Sequence, residues 1–118
     1  MLAKEAVTVD VLCGGRLDLG LGVGWNAGEF ANVGASYSDR GRRTDEMLDA
    51  LDALYTRDDP SWSGSFYDFG PIGFEPRPVQ RPRPRTLIGG YSPAAVRRTA
   101  LRGDGWYGGG KVASRSQY

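Results

Sequence analysis

The 118-residue chain is predicted to be an α/β protein built on a parallel sheet. Three observations predict it. Strand-like and helix-like segments alternate along the chain, which implies parallel pairing through helical crossovers. From Arg16 to Gly24, Leu17, Leu19, Leu21 and Val23 alternate with Asp18, Gly20, Gly22 and Gly24. That period belongs to a strand with one aliphatic face and one nearly bare face. Finally, Gly89-Gly90-Tyr91-Ser92-Pro93 joins a short aliphatic run to a helix start, as a βα unit requires.

In chain order, Leu2 to Leu12 reads as a helix, with Leu2, Ala6, Val9 and Leu12 near one stripe and Gly14-Gly15 as its stop. The glycine strand follows, then a loop containing Gly28, Gly34 and Ser36. A second helix should start at Ser38 or Asp39, either of which can cap it. Its apolar positions are Met47, Leu48, Leu51, Leu54 and Tyr55, at helical spacing. Asp45, Glu46, Asp49 and Asp52 then form a solvated face, and Asp59-Pro60 ends the helix. Ser61 to Phe69 is an aromatic excursion around Gly64, read as a small β-hairpin or an extended detour. Pro76 to Pro84 alternates proline with arginine and is expected to be a solvated, extended linker. Thr86-Leu87-Ile88 is a short buried strand. Ala94 to Arg102 is a helix ended by Gly103, and Asp104 to Tyr107 a last strand. The expected domain spans residues 1–107, and residues 108–118 read as a disordered or unrelated tail.

Composition excludes several classes. Histidine is absent and Cys13 stands alone. Histidine-based triads, disulfide frameworks and zinc clusters are therefore not expected, and no metal site is. A lone cysteine fits a reducing cytoplasm. No apolar run approaches the roughly 20 residues needed to cross a bilayer, so no membrane partner is expected. Net charge is only +1. Seven arginines and no acid fall between Pro76 and Gly103, which would suit phosphates. Proline keeps this run from forming a groove-reading helix, however, so no nucleic acid partner is expected.

Glycine in a strand costs stability and offers nothing to pack, so three on one face call for close approach of a ligand or another backbone. In α/β proteins ligands sit at the carboxyl ends of the strands. Gly24, Trp25 and Asn26 lie at one such end. Gly89, Gly90, Tyr91 and Ser92 lie at another, where helix N–H groups and the helix dipole favour an anion, phosphate above all. Asp104 and Trp106 stand near a third strand's ends, and Trp106 reads equally as ligand-facing or as core. Gly22 to Ala27 also fits the dinucleotide fingerprint, but about 20 residues on, where an acid should end a strand, Asp45-Glu46 fall inside a helix. No catalytic residue can be named.

These segments together resemble the luciferase-like monooxygenase superfamily of flavin- and deazaflavin (coenzyme F420)-dependent oxidoreductases. The resemblance rests on Leu2-Ala3-Lys4, Gly15-Arg16-Leu17, Leu19-Gly20, Gly22, Gly24-Trp25, Glu29-Phe30, Gly34, Arg40-Gly41, Asp45-Glu46 and Leu54. It continues through Pro76, Pro78-Val79-Gln80, Pro82, Ile88-Gly89-Gly90, Ser92-Pro93-Ala94-Ala95 and Gly103-Asp104-Gly105-Trp106. It implies an incomplete TIM (β/α)8 barrel: a central segment of about three parallel strands and three helices, plus a small β excursion. Arg16–Gly24, Thr86–Gly89 and Asp104–Tyr107 would be its fourth, fifth and sixth strands. It also implies that Gly89, Gly90 and Ser92 form the cofactor's phosphate turn and that Trp25 and Asn26 lie where ring and substrate meet. With Gly24, Tyr91 and Asp104, taken from their places near strand ends, these are the expected cofactor contacts. Coenzyme F420 is preferred, on Gly24-Trp25, Arg40-Gly41 and the Pro-Val-Gln linker, with FMN as the alternative. The function implied is hydride transfer or oxygen activation at the cofactor ring, acting on a small organic substrate. A homo-oligomer is left open. The other reading is a non-catalytic anion- or nucleic-acid-binding fragment, or an inactive remnant. Whole barrels run to about 250 residues, so the chain reads as a truncated middle piece with open sheet edges.

Overall fold

The alternation of leucine and glycine is carried into strand β1 (Asp18–Leu21), which follows helix α1 (Leu2–Leu12). In this computed structural model residues 1–108 are described. The chain continues through α2 (Ala27–Asn32), α3 (Arg40–Thr56), a hairpin of β2 (Trp62–Ser63) and β3 (Asp68–Phe69), then β4 (Arg85–Gly89), α4 (Pro93–Arg102) and β5 (Gly105–Tyr107). β4 is central and pairs in parallel with β1 on one side and β5 on the other. This is the expected α/β class: a three-stranded parallel arc with its helices on one face, consistent with part of a TIM barrel. The tail expected at residues 108–118 lies, beyond Gly108, outside the described residues.

Register sorts the side chains. Paired residues in parallel strands share a face. Gly20 pairs with Leu87, and Leu87 with Gly105; Gly89 pairs with Tyr107. These residues, with Asp18 and Arg85, form one face. Leu19, Thr86, Ile88 and Trp106 form the other, towards the helices. There Leu17 and Leu19 pack on a core of Ala3, Ala6, Val7, Leu51, Tyr55 and Phe74. β1 is shorter than its alternation suggests. Its ladder stops at Leu21 opposite Ile88, and Gly24 then turns the chain with a φ of 78°.

Several expectations need correction. The segment after β1 is not all loop: Ala27–Asn32 is helical, because the Asn26 side chain accepts from the Gly28 N–H and caps it. The stripe of α1 is rotated. Ala3, Ala6, Val7 and Asp10 are buried, whereas Val9 is half-exposed and Leu12 is 81% exposed. Asp10 causes the rotation. Its carboxylate accepts from Val79 N (2.7 Å), Gln80 N (3.1 Å) and Gln80 Nε2 (2.8 Å). Gln80 Nε2 also reaches Leu17 O, tying the segment to the start of β1.

The proline–arginine run is accordingly not a solvated linker. Pro78 and Pro84 are fully buried. The arginines of the basic half are largely neutralised inside the chain. Arg77 pairs with Asp58, Arg83 with Asp52 and Asp104, Arg85 with Asp18, Arg98 with Asp45, and Arg102 with Asp49. The acids of α3 are therefore not a merely solvated face: Asp45, Asp49 and Asp52 are three of these partners. The fourth, Glu46, accepts from the backbone N–H groups of Ser65, Phe66 and Tyr67 and from Trp62 Nε1. It is what folds the hairpin back onto α3. In Glu46→Ala those three amides should lose protection in hydrogen exchange, while β4 amides keep theirs. Unchanged protection at residues 65–67 would show that the hairpin holds itself.

The pH dependence of stability comes at the acid end from carboxylates held below their ordinary values, Asp10, Glu46 and Asp104 among them, and at the alkaline end from Tyr55. Burial alone would raise the Asp10 carboxyl, but hydrogen bonds from Gln80 and Val79 hold it below its ordinary value. Because the folded pKa is the lower one, Asp10 stabilises fully above about pH 4 and less as pH falls below that. Tyr55 behaves oppositely: burial, with the Asp10 charge nearby, pushes its hydroxyl up to about 12. Its contribution is complete below pH 10 and lost as pH rises from there. Denaturation midpoints should therefore be flat from about pH 4 to pH 10 and fall on both sides. Tyr55→Phe should abolish the alkaline limb, and an alkaline limb that persists would place its origin elsewhere.

Candidate functional site

The bare face of the sheet forms the floor of an open cavity of about 590 Å³, lined by Asp18, Gly20, Gly22, Leu87, Gly89 and Tyr107 and reaching Gly90 and Tyr91. That volume is within the ~300–1,000 Å³ of small-molecule and cofactor sites. A Cβ built on Gly20 or Gly22 would meet nothing within 4 Å. The glycines thus face open space, while Leu17 and Leu19 face the helices. At the amino end of the strands, Arg85 grips Asp18 through two hydrogen bonds of 2.9 and 2.6 Å and closes the floor with a charge-neutral pair. A second cavity of about 410 Å³ lies between α3, α4 and β2. Its Arg83 and Arg102 are already paired with Asp52, Asp104 and Asp49, so the glycine face is the better site.

Two turns border the carboxyl end of this face. After β1, Gly24 holds its positive φ with the Phe30 ring 2.8 Å from where a Cβ would be. Trp25 is 83% exposed. Its position is set through the backbone: Tyr37 Oη donates to Trp25 O (3.1 Å), and Arg40 Nε to Gly24 O (3.2 Å). The Arg40 guanidinium also lies 3.8 Å over the Tyr37 ring. Asn26 spends its side chain locally, capping α2 and donating to Glu29 (3.2 Å). After β4, Gly90 has a φ of 124°, and a Cβ there would lie 2.9 Å from that of Ala95. Ser92 Oγ accepts from Ala95 N (3.2 Å), and Pro93 opens α4. This is the turn whose N–H groups and helix dipole suit an anion.

The structure brings together Gly89, Gly90, Tyr91 and Ser92 at the end of β4, and Gly24, Trp25 and Asn26 at the end of β1. Asp104 is elsewhere. It precedes β5 and so lies at the amino end of the sheet, where Thr86 N (2.7 Å) and Arg83 are its donors. Burial would raise its carboxyl, but these partners hold it low. Trp106 is neither core nor ligand-facing: it is 49% exposed, on the helix face. Sequence reasoning missed Tyr37, and it singled out Arg40 only as part of the resemblance, not as a brace of the first turn. The Tyr-x-x-Arg spacing at the foot of α3 was the available signal. Among the described residues, no group of three or more histidine, cysteine, aspartate or glutamate residues is placed to hold a metal ion, and no helix is long and apolar enough to cross a membrane.

A parallel sheet whose edge strand and its continuation are bare at Gly20 and Gly22, with a glycine turn leading into a capped helix at the carboxyl end of its central strand, has the layout of an α/β ligand site. The chain belongs to the luciferase-like monooxygenase family, whose model matches residues 1–118. A relative from Pseudomonas putida, an FMNH(2)-dependent dimethylsulfone monooxygenase, is 38% identical over 91% of this chain and 30% of its own length. An uncharacterized Mycobacterium tuberculosis protein is 37% identical over 93% of this chain and 37% of its own length. The crystal structure of the monooxygenase RslO1 from Streptomyces bottropensis superposes with a TM-score of 0.77 at 35% identity, covering 84% of this chain and 30% of that one. The chain thus spans about a third of the length of these relatives.

Proposed function

We propose that the chain supplies one wall of the cofactor site of a reduced-flavin-dependent monooxygenase acting on a small organic substrate. The observation that carries this is the open glycine face: Gly20 and Gly22 meet nothing within 4 Å, and the face runs up to the capped turn at Gly89–Ser92. A flat ring would fit against β1 and its continuation, which carry no side chain at Gly20 and Gly22, and a phosphate would fit the turn. FMN, not deazaflavin, is the cofactor of this proposal. The expectation of coenzyme F420 rested on Gly24-Trp25, Arg40-Gly41 and the proline-rich segment. All of these have structural duties here: a turn, a brace and an anchored strap. The named Pseudomonas relative is FMNH(2)-dependent.

When bound, the flavin supplies the redox chemistry; the residues of the chain position and shield it. Gly20, Gly22 and Gly89 admit the ring, and Leu87 and Tyr107 border it. The Gly89–Ser92 turn holds the phosphate. Trp25, held out at the mouth by Tyr37 and Arg40, stands where ring and substrate would meet. Asp18 and Arg85 neutralise each other below the ring. Titration of the purified chain with FMN, riboflavin and F420, followed by flavin fluorescence and absorbance, tests this. FMN should bind, and more tightly than riboflavin or F420. No binding of FMN would sink the proposal, and tighter binding of F420 would reverse the choice of cofactor.

A further inference from the structure

The geometry assigns Trp106 a role as a positioning residue for the phosphate turn, acting from behind the sheet; this rests on the flavin site proposed above. Trp106 pairs with Ile88, which is buried on the helix face. Its indole therefore lies on the side of the sheet away from the glycine floor and cannot line the cavity with Leu87 and Tyr107. Yet it reaches the turn. Trp106 Nε1 donates to Gly90 O at 2.7 Å, and its ring meets Tyr91 edge to face, with centroids 5.6 Å apart at 76°.

Gly90 is the residue with a φ of 124°, a conformation that glycine adopts cheaply but that nothing in its own side chain can hold. The indole supplies what the glycine lacks. The Gly90–Tyr91 peptide is a planar trans unit, so fixing its carbonyl towards Trp106 fixes the direction of the N–H across the same plane. A donor on β5 thereby sets the orientation of the turn after β4, just before the N-terminus of α4. Affinity for a phosphate depends on such pre-orientation. Affinity for an isoalloxazine ring lying on Gly20 and Gly22 does not.

The test uses that separation. Trp106→Phe keeps an aromatic ring beside Tyr91 and removes the donor together with part of the indole's bulk. In the wild-type chain FMN should bind more tightly than riboflavin, which has the same ring and no phosphate. In Trp106→Phe the FMN Kd should rise about tenfold, the size expected from one lost hydrogen bond, while the riboflavin Kd stays within about twofold. Parallel losses for both flavins, or no loss for either, would overturn the assignment. A wild-type chain that binds the two flavins equally would overturn it too, and would leave the flavin site standing. A wild-type chain that binds neither removes the flavin site as well. If Trp106→Phe does not fold, the wild-type Trp106 indole N–H resonance decides, identified by elimination with Trp25→Phe and Trp62→Phe. It should shift with FMN and with inorganic phosphate but not with riboflavin; an unmoved resonance would overturn the proposal.

Discussion

Replacing Asp10 with alanine is expected to cost about 3 kcal/mol of stability. Asp10 is fully buried, and the donors that reach it, Val79 N, Gln80 N and Gln80 Nε2, come from a segment about 70 residues away. Alanine leaves the two backbone N–H groups with no acceptor. These hydrogen bonds are part-buried; an orphaned donor costs roughly 1–3 kcal/mol when buried, and less where water can reach it. Loss of the buried charge, which is itself expensive to desolvate, offsets part of this. Domains of this size are stable by only about 5–15 kcal/mol, so the change is large. Asp10→Asn keeps one oxygen acceptor for the Val79 and Gln80 amides and should cost roughly 1 kcal/mol. Urea denaturation of both variants checks this. A loss under about 0.5 kcal/mol in Asp10→Ala would mean that proline packing alone holds the strap.

The second large effect is on binding, not stability. Gly20→Val should leave the melting temperature unchanged or slightly raised. A Cβ at this position would meet no atom within 4 Å, and valine suits a strand better than glycine does. The same side chain would occupy the space where a flat ring lies. An overpacked contact costs about 1–3 kcal/mol, so the FMN Kd should rise roughly 10- to 100-fold. Leu19→Ala, one residue away on the opposite face, gives the contrast: lower stability from a hole beside the α1–α3 core, with little selective effect on the flavin. Calorimetry and flavin titration on the two variants separate the faces. Wild-type FMN affinity in Gly20→Val would remove the glycine face as the cofactor wall.

How much of this was legible beforehand depended on the range of the interaction. The Ser92-Pro93 start of α4 is local, and the structure shows the cap as read. The hairpin at Trp62–Phe69 was legible from its aromatics around Gly64, but its clamp was not: Glu46 sits 19–21 residues before the amides that it accepts from. Helix α2 was missed because three glycines nearby outweigh one asparagine cap by propensity. The stripe of α1 was misjudged because hydrophobic periodicity counts Val9 and Leu12 as core and Asp10 as surface. A carboxylate buried by partners about 70 residues away inverts that rule. For Asp104 the strand was right and the end of it was wrong, which moves the residue from the ligand rim to the base of the sheet.

The chain's own residue order determined the class of fold, the parallel alternation, the bare strand face and the capped glycine turn, because each is a matter of side-chain period or of chemistry within a few bonds. Only the tertiary structure decided that the bare face looks into open space, that the acids of α3 are partners for arginines, and that Trp106 stands behind the turn and not before it. Those are outcomes of register and of pairing between distant segments. They depend on which strand lies beside which, a choice made by the summed packing of the whole sheet and its helices.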